Sequence, residues 1–397
     1  MTEEDYNLET STRFFFAIIA ILVVFGITMV FSASYIYSKE THGESSYYLI
    51  KQLIYLVLSV ILGFAVSRTK PTFWIKYSSF LSVMISVALV MTFIPGLGVE
   101  VKGAHRWINL GPASFQPGEL VKFTSLLHGI ALFENWVTLN VKERCKSVGL
   151  ALLPLVLLLN QPDFGSFSIA FIVLAFTCFM SRFPRKYFYS GLGVGALLAV
   201  LALFSQPYRV KRLLTFLDPW KNPLGSGFQI IQSYLGFANG GVWGLGLGNS
   251  NEKLFYLPEA HNDFIFSVIG EELGFIGVIG LALLYMGFLL FGFRIALNIK
   301  DRLSSLIISS VVFTIAINAV LNMSVVLGLL PTKGLNLPFI SSGGSSLLSN
   351  FFGLGILYSV IRSYMKKSRE IENSQNSFMG QSGFNNPTPP TDSNFSW

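Results

Sequence analysis

The sequence predicts an all-α, polytopic membrane protein with about ten transmembrane helices and a large structured extracytoplasmic loop. Three observations carry this prediction. Of 397 residues, 52% are hydrophobic and only 12% charged, about half the roughly 25% charge of soluble chains. Apolar runs close to the ~20 residues that cross a bilayer recur along the chain. Lysine and arginine gather in alternate connectors, the pattern that orients membrane helices. Mean hydropathy is +0.58. A soluble enzyme, a disulfide-stapled secreted module and a disordered protein are all excluded. Two cysteines, Cys145 and Cys178, make no disulfide framework, and no His/Cys cluster points to a metal site. The net charge of +7 reads as topology, with no nucleic-acid partner expected.

The spans fall near 14–37, 49–67, 73–94, 118–134, 147–160, 165–181, 188–204, 264–291, 303–330 and 345–365. Arg13 precedes the first, and no small-residue cleavage site follows, so that span reads as a retained signal anchor. An inside N-terminus puts 17 of the 28 basic residues inside. Arg13, the Arg68–Lys76, Lys142–Lys146, Arg182–Lys186 and Arg294–Arg302 groups and Arg362–Arg369 lie there, and both termini are then cytoplasmic. The chain divides into a cytoplasmic tail over 1–13, a membrane domain over 14–365 and a cytoplasmic tail over 366–397. The polar ends are expected to be disordered.

Two outer segments, 95–117 and 205–263, are too long to be connectors, and their Gly, Trp, Phe and Pro content predicts packed structure. In the second, Val210, Leu213, Leu214 and Leu217 recur at helical spacing opposite Arg209, Lys211 and Arg212. This reads as a short helix in the membrane interface or as one packed on the bundle.

Ionisable groups at membrane depth are costly, so each invites a functional reading. Lys51 opens the second span beside Gln52 and either snorkels or serves the site. Glu119 and Lys122, three apart on one helix face, form an internal ion pair or meet substrate. Asn318 and Asn322 are expected to bridge helices. The densest polar stretch, Leu257 to Leu273, holds Glu259, His261, Asp263, Glu271 and Glu272. On a straight helix Asp263 lies roughly 15 Å further out than Leu273, where a water-accessible acid beside lipid suits headgroup chemistry. Glu271 and Glu272 read as structural salt bridges. Gly244-Leu-Gly-Leu-Gly248 lacks the strand, helix and spacing of a dinucleotide loop. Ser341-Ser-Gly-Gly-Ser-Ser346 is compatible with a pyrophosphate-binding turn at a helix N-terminus.

Six motifs then occur in order: Gly103-Ala-His-Arg-Trp-Ile108, Gln116-Pro-Gly-Glu-Leu-Val-Lys122, Leu217-Asp-Pro-Trp220, Tyr256 through Phe266, Gly270-Glu-Glu-Leu-Gly274 and Pro331-Thr-Lys-Gly-Leu-Asn-Leu-Pro338. Together they resemble the SEDS family of cell-wall polymerases (shape, elongation, division and sporulation proteins) over about residues 14–365. Asp-Pro-Trp, the Asn249–Lys253 run and Pro-Thr-Lys-Gly look more like the division member than the elongation member. Asn262 stands where the family usually has Thr, Gly118 where it has Ala or Ser, and Ser342 where it usually has Tyr.

The resemblance implies a peptidoglycan glycosyltransferase that polymerises lipid II at the outer face of the cytoplasmic membrane. Asp263 is then the expected catalytic base for the acceptor hydroxyl. Arg106, Lys122 and Lys333 are expected to hold the pyrophosphate, with Gln116, Glu119, Glu259, His261 and Ser342 as further substrate contacts. A divalent cation, Mg²⁺ or Mn²⁺, is an optional assistant, and no metal site of the protein's own is expected. A class B penicillin-binding transpeptidase and other division proteins are the implied partners. A lipid II flippase, an elongation-type polymerase and an inactive division scaffold are the rival readings.

Overall fold

A computed structural model describes residues 3–101, 103–111, 114–204, 207–225, 227–253, 257 and 260–382. The helices are α1 (Glu3–His42), α2 (Tyr47–Ser67), α3 (Pro71–Lys76), α4 (Ser78–Met91), α5 (Gly118–Glu134), α6 (Val141–Asn160), α7 (Phe164–Met180) and α8 (Arg185–Phe204). They continue with α9 (Pro207–Leu217), α10 (Phe228–Gly240), α11 (Ile265–Asn298), α12 (Arg302–Val326) and α13 (Gly344–Ser382). Between α4 and α5 lies an antiparallel sheet, β1 (Gly98–Val101), β2 (Ala104–Asn109) and β3 (Ser114–Phe115), in the order β1-β2-β3.

The lateral surface shows which solvent the fold is built for. On α2 the buried residues are Gln52, Ser59, Gly63, Val66 and Ser67, whereas Ile54, Val57, Ile61 and Phe64 are exposed. On α4, Ser78, Ser82 and Ser86 face inward while Phe80, Met84 and Val87 face out. Polar-in, apolar-out faces are stable only where hydrocarbon is the solvent. α1, α2, α11, α12 and α13 are long and apolar enough to cross a membrane, and α4 and α7 are shorter apolar helices. α5 needs no apolar exterior, because Val121 to Ile130 are buried on every side.

Each expected span meets a helix, with three corrections. The N-terminal tail is helical from Glu3, because Leu8, Ser11 and Phe15 bury one face and Arg13 pairs with Glu9 at 2.6 Å. The C-terminal tail continues α13 as far as Ser382 and carries a Lys366–Glu370 pair. The third span is split by Tyr77 into α3 and α4. The 95–117 segment is β-structured, so the protein is nearly rather than wholly helical. In the 205–263 segment α9 forms where expected and leaves Leu214 and Leu217 exposed, as an interfacial helix does. The side chains of Arg209, Lys211 and Arg212 lie outside the described residues.

α11 is not straight. Gly274 sits at φ +65 inside it, and the open turn pairs with the upstream glycine-rich run. Leu245 N–H donates to the Glu271 carbonyl at 3.0 Å, Gly246 N–H to that of Glu272 at 2.9 Å, and Phe275 N–H to that of Gly241 at 2.9 Å. A Cβ on Gly244 would lie 2.2 Å from the Glu272 carbonyl oxygen, and one on Gly274 would lie 2.4 Å from the Gly244 nitrogen. The glycine run therefore closes backbone gaps in α11.

Candidate functional site

Six segments converge at one end of the bundle: the turn at 260–264, the 327–343 loop, β2, and the N-terminal ends of α5, α7 and α13. Asn322 on α12 ties two of them together. Its amide donates to the Asp263 carbonyl at 2.9 Å and also to the Leu335 carbonyl. The half-buried Asp263 carboxylate lies against the opposite loop, so that a Cβ on Gly334 would stand 3.1 Å from its Oδ2. Ser341 Oγ donates to the Asn262 carbonyl at 2.7 Å, and Ser342 N–H donates to the His261 carbonyl at 3.0 Å. An acid and a Pro-flanked cationic loop, some seventy residues apart in sequence, are thus fixed in one place.

The other wall of Lys333 is α7. Its ammonium donates to Ser168 Oγ at 3.0 Å and lies 4.8 Å from the centre of the Phe164 ring, a cation–π contact. Burial pushes the Lys333 pKa below the usual lysine value. The charged form is therefore poorly solvated, and an arriving anion would stabilise it.

Arg106 reaches the same end of α7 from β2. Side chains alternate along a strand, and Ala104 and Ile108, two residues on either side, are buried. Arg106 shares their inward face and donates to the Pro162 carbonyl at 2.6 Å. Its Nε is buried with no hydrogen-bond partner among the described residues.

Comparison with known proteins places this arrangement. The family model for the FtsW, RodA and SpoVE cell cycle proteins matches residues 12–366. The chain belongs to this family. The probable peptidoglycan glycosyltransferase FtsW of Saccharophagus degradans is 37% identical over 370 residues, covering 89% of this chain and 92% of that one. Its counterpart from Coxiella burnetii is 40% identical over 347 residues, covering 85% and 92%. A solved chain from work on a peptidoglycan synthase complex that coordinates polymerization and crosslinking superposes with a TM-score of 0.70 at 31% identity, covering 88% and 97%. RodA of Thermus thermophilus superposes at 0.63 with 27% identity, covering 88% and 96%.

Within this FtsW/RodA/SpoVE fold the expected site residues separate into groups. Asp263, Lys333 and Arg106 come together around the 327–343 loop and the start of α7. Gln116 stands at the entry to α5: its backbone N–H donates to Ser345 Oγ at 3.0 Å and its amide to Asp163 Oδ2 at 3.2 Å. Lys122 turns inward and bonds Glu119 at 2.8 Å, both side chains nearly inaccessible. The intrahelical ion pair that the sequence left open is therefore formed, and the Lys122 charge is already balanced. His261 is buried, with its ring 5.4 Å from that of Tyr37 and 4.5 Å from that of Tyr48. Ser342 is held by its own backbone, and Ser345 is engaged by Gln116, so the 341–346 turn uses part of its anion-binding capacity internally. Glu259 and Tyr256 lie outside the described residues.

Asp163 escaped sequence reasoning. It caps α7, accepting from Ser166 N–H at 3.2 Å and Ser166 Oγ at 2.8 Å while holding Gln116. The preceding Gln161 anchors the same turn to α4, donating to the Leu89 carbonyl at 3.0 Å and Thr92 Oγ1 at 2.6 Å. The signal was present: Gln161-Pro-Asp163 breaks two apolar runs, with a serine three residues on at N-cap spacing.

Glu272 forms the structural salt bridge that was expected of both Glu271 and Glu272, and Glu271 does not. Glu272 accepts from Lys253 Nζ at 2.8 Å and from Ser32, and both partners of the ion pair are buried. Glu271 accepts from the backbone N–H of Asn251 and of Glu252, each at 3.2 Å, and from Ser250. Hydrogen bonds thus replace an ion pair for Glu271. Among the described residues no three His, Cys, Asp or Glu side chains gather to hold a metal ion.

Proposed function

We propose that the chain is a division-type peptidoglycan glycosyltransferase. It lengthens glycan strands from lipid II at the outer face of the cytoplasmic membrane, with both termini inside. The observation that carries this reading is the meeting of the Asp263 carboxylate with the Pro331–Pro338 loop that bears Lys333. Family membership and the FtsW relatives supply the reaction class. The lysine and arginine bias supplies the orientation.

The chemistry is a single displacement. Asp263 accepts the proton of the acceptor sugar hydroxyl as that oxygen forms a bond to the donor's anomeric carbon. The bond from that carbon to the pyrophosphate oxygen breaks, and its electron pair leaves with undecaprenyl pyrophosphate. Lys333 and the unsatisfied Nε of Arg106 stabilise the charge growing there. Pyrophosphate is a good leaving group, so one carboxylate suffices where a glycosidase needs two. One inversion turns an α-linked donor into a β-linked polymer. Gln116 and Asp163 hold the entries of α5 and α7 around this centre.

A flippase is the rival from another class, and a silent scaffold is a third. Purified protein reconstituted with lipid II, with and without its class B transpeptidase partner, separates them. Glycan lengthening that is stimulated by the partner supports the proposal. Translocation without lengthening, or neither, refutes it.

A further inference from the structure

At the opposite end of the bundle, α1 and α13 enclose a groove of about 670 Å³. Arg362 lies 17 residues along α13 from Ser345, about 26 Å at helical rise and close to the hydrocarbon thickness of a bilayer. The groove is thus set one membrane thickness from the site described above. Its rim carries Arg362, Lys366 and Arg369, spaced i, i+4, i+7 on one face of α13, and Arg13 from α1. Its floor is apolar, with Phe16 and Tyr358 in edge contact at 5.5 Å beside Met365.

The two acids in the groove, Glu9 and Glu370, leave it net positive. Glu9 pairs with Arg13 at 2.6 Å and Glu370 with Lys366 at 3.8 Å, and exposed pairs of this kind contribute little. Both cations can exchange that partner for a phosphate. Arg362 spends one nitrogen on the Arg68 carbonyl at 3.1 Å, which orients its guanidinium. A cationic rim over an aromatic and aliphatic floor at the hydrocarbon boundary matches a lipid with an anionic head and acyl chains.

We propose that this groove seats an anionic phospholipid, its phosphodiester held by Arg13, Arg362, Lys366 and Arg369 and its chains lying along Phe16 and Tyr358. A soluble acidic peptide is the competing occupant. It would use the rim and leave the floor bare, so the apolar floor favours the lipid. The inference concerns binding alone and stands whatever reaction the other end performs.

The test is native mass spectrometry of the full chain, exchanged into nanodiscs of phosphatidylethanolamine containing either phosphatidylglycerol or cardiolipin. The wild type should retain anionic lipid adducts through delipidation. The triple variant Arg362→Gln/Lys366→Gln/Arg369→Gln should lose them at least tenfold, with lengthening activity in zwitterionic discs unchanged. Glu9→Gln, which unfetters Arg13, should strengthen retention, and it keeps the test open should the triple variant fail to fold. Equal retention by the wild type and a folded triple variant overturns the proposal. So does displacement of the lipid by a soluble polyglutamate peptide, or no strengthening in Glu9→Gln.

Discussion

Two polar clusters lie within the same third of the chain and treat charge in opposite ways. Around Glu271 and Glu272, the carboxylates are inaccessible and surrounded by donors from α1, α10 and the 250–253 segment, with Lys253 as counter-ion. Around Asp263 and Lys333 the groups are half-buried, and the lysine bonds a neutral hydroxyl and a ring face. The first cluster is closed by the protein itself. In the second, burial leaves the lysine charge poorly solvated. Fixed charge with a complete set of partners, as at Glu272, is architectural, and we propose that the half-buried charge of Lys333 is functional.

The sharpest way to break that contrast is Asp263→Asn. The amide keeps the shape but cannot take a proton, so lipid II polymerisation should fall ~10²–10⁴-fold while the melting temperature in detergent stays put. Wild-type rates would remove the open cluster from the reaction. Glu272→Gln should do the reverse, since removing one member of a buried ion pair costs about 3–5 kcal/mol. Denaturation should show that loss, with activity per folded molecule preserved.

Lys333→Gln comes next. Loss of one preorganised donor to a developing anion lowers rate ~10²–10³-fold, again with little change in melting temperature. Because burial lowers the Lys333 pKa, the charge is lost as pH rises through a value below that of an ordinary lysine. The alkaline limb of the wild-type rate profile should fall there, and Lys333→Arg should move that limb upward if it retains activity.

The smallest effect refines the closed cluster. Burial, reinforced by the Glu271 charge, raises the Glu252 pKa to about 7, and its Oε2 lacks a hydrogen-bond partner among the described residues. A raised folded-state value means that its favourable contribution is full in acid and is lost as pH climbs through about 7. Melting temperatures from pH 5 to 9 should decline for the wild type and less steeply for Glu252→Gln. Parallel slopes would reassign the dependence.

What could be read in the sequence follows from range. Apolar run length is local, and each expected span overlaps a helix, five of them long and apolar enough to cross a membrane. Asp263 and Lys333 were legible because each sits in a motif whose chemistry is implied by the family. That they share one site was expected from the same implied roles, but the contacts that fix it were not, since they depend on Asn322, which the spacing offered only as a bridge between helices, and on Gly334. Lys122 shows the converse: i, i+3 spacing to Glu119 was visible, but only packing decided that both face the interior. Asp163 was missed because a capping aspartate between hydrophobic helices looks like punctuation. The tails were misread because composition reports polarity and not the buried face of Leu8, Ser11 and Phe15 that carries α1 beyond the bilayer.

The open turn at Gly274 bears on the order in which the chain is made. Backbone groups left unpaired in a bilayer are costly, and α11 exposes several where it breaks. Their partners at 241–246 are translated some thirty residues earlier. A ribosome feeding this chain into the membrane therefore delivers the splint before the fracture. Moving the glycine run downstream by circular permutation would send α11 into lipid with its break unmended. Such a chain should stall or be degraded during insertion, even though its finished contacts would be identical.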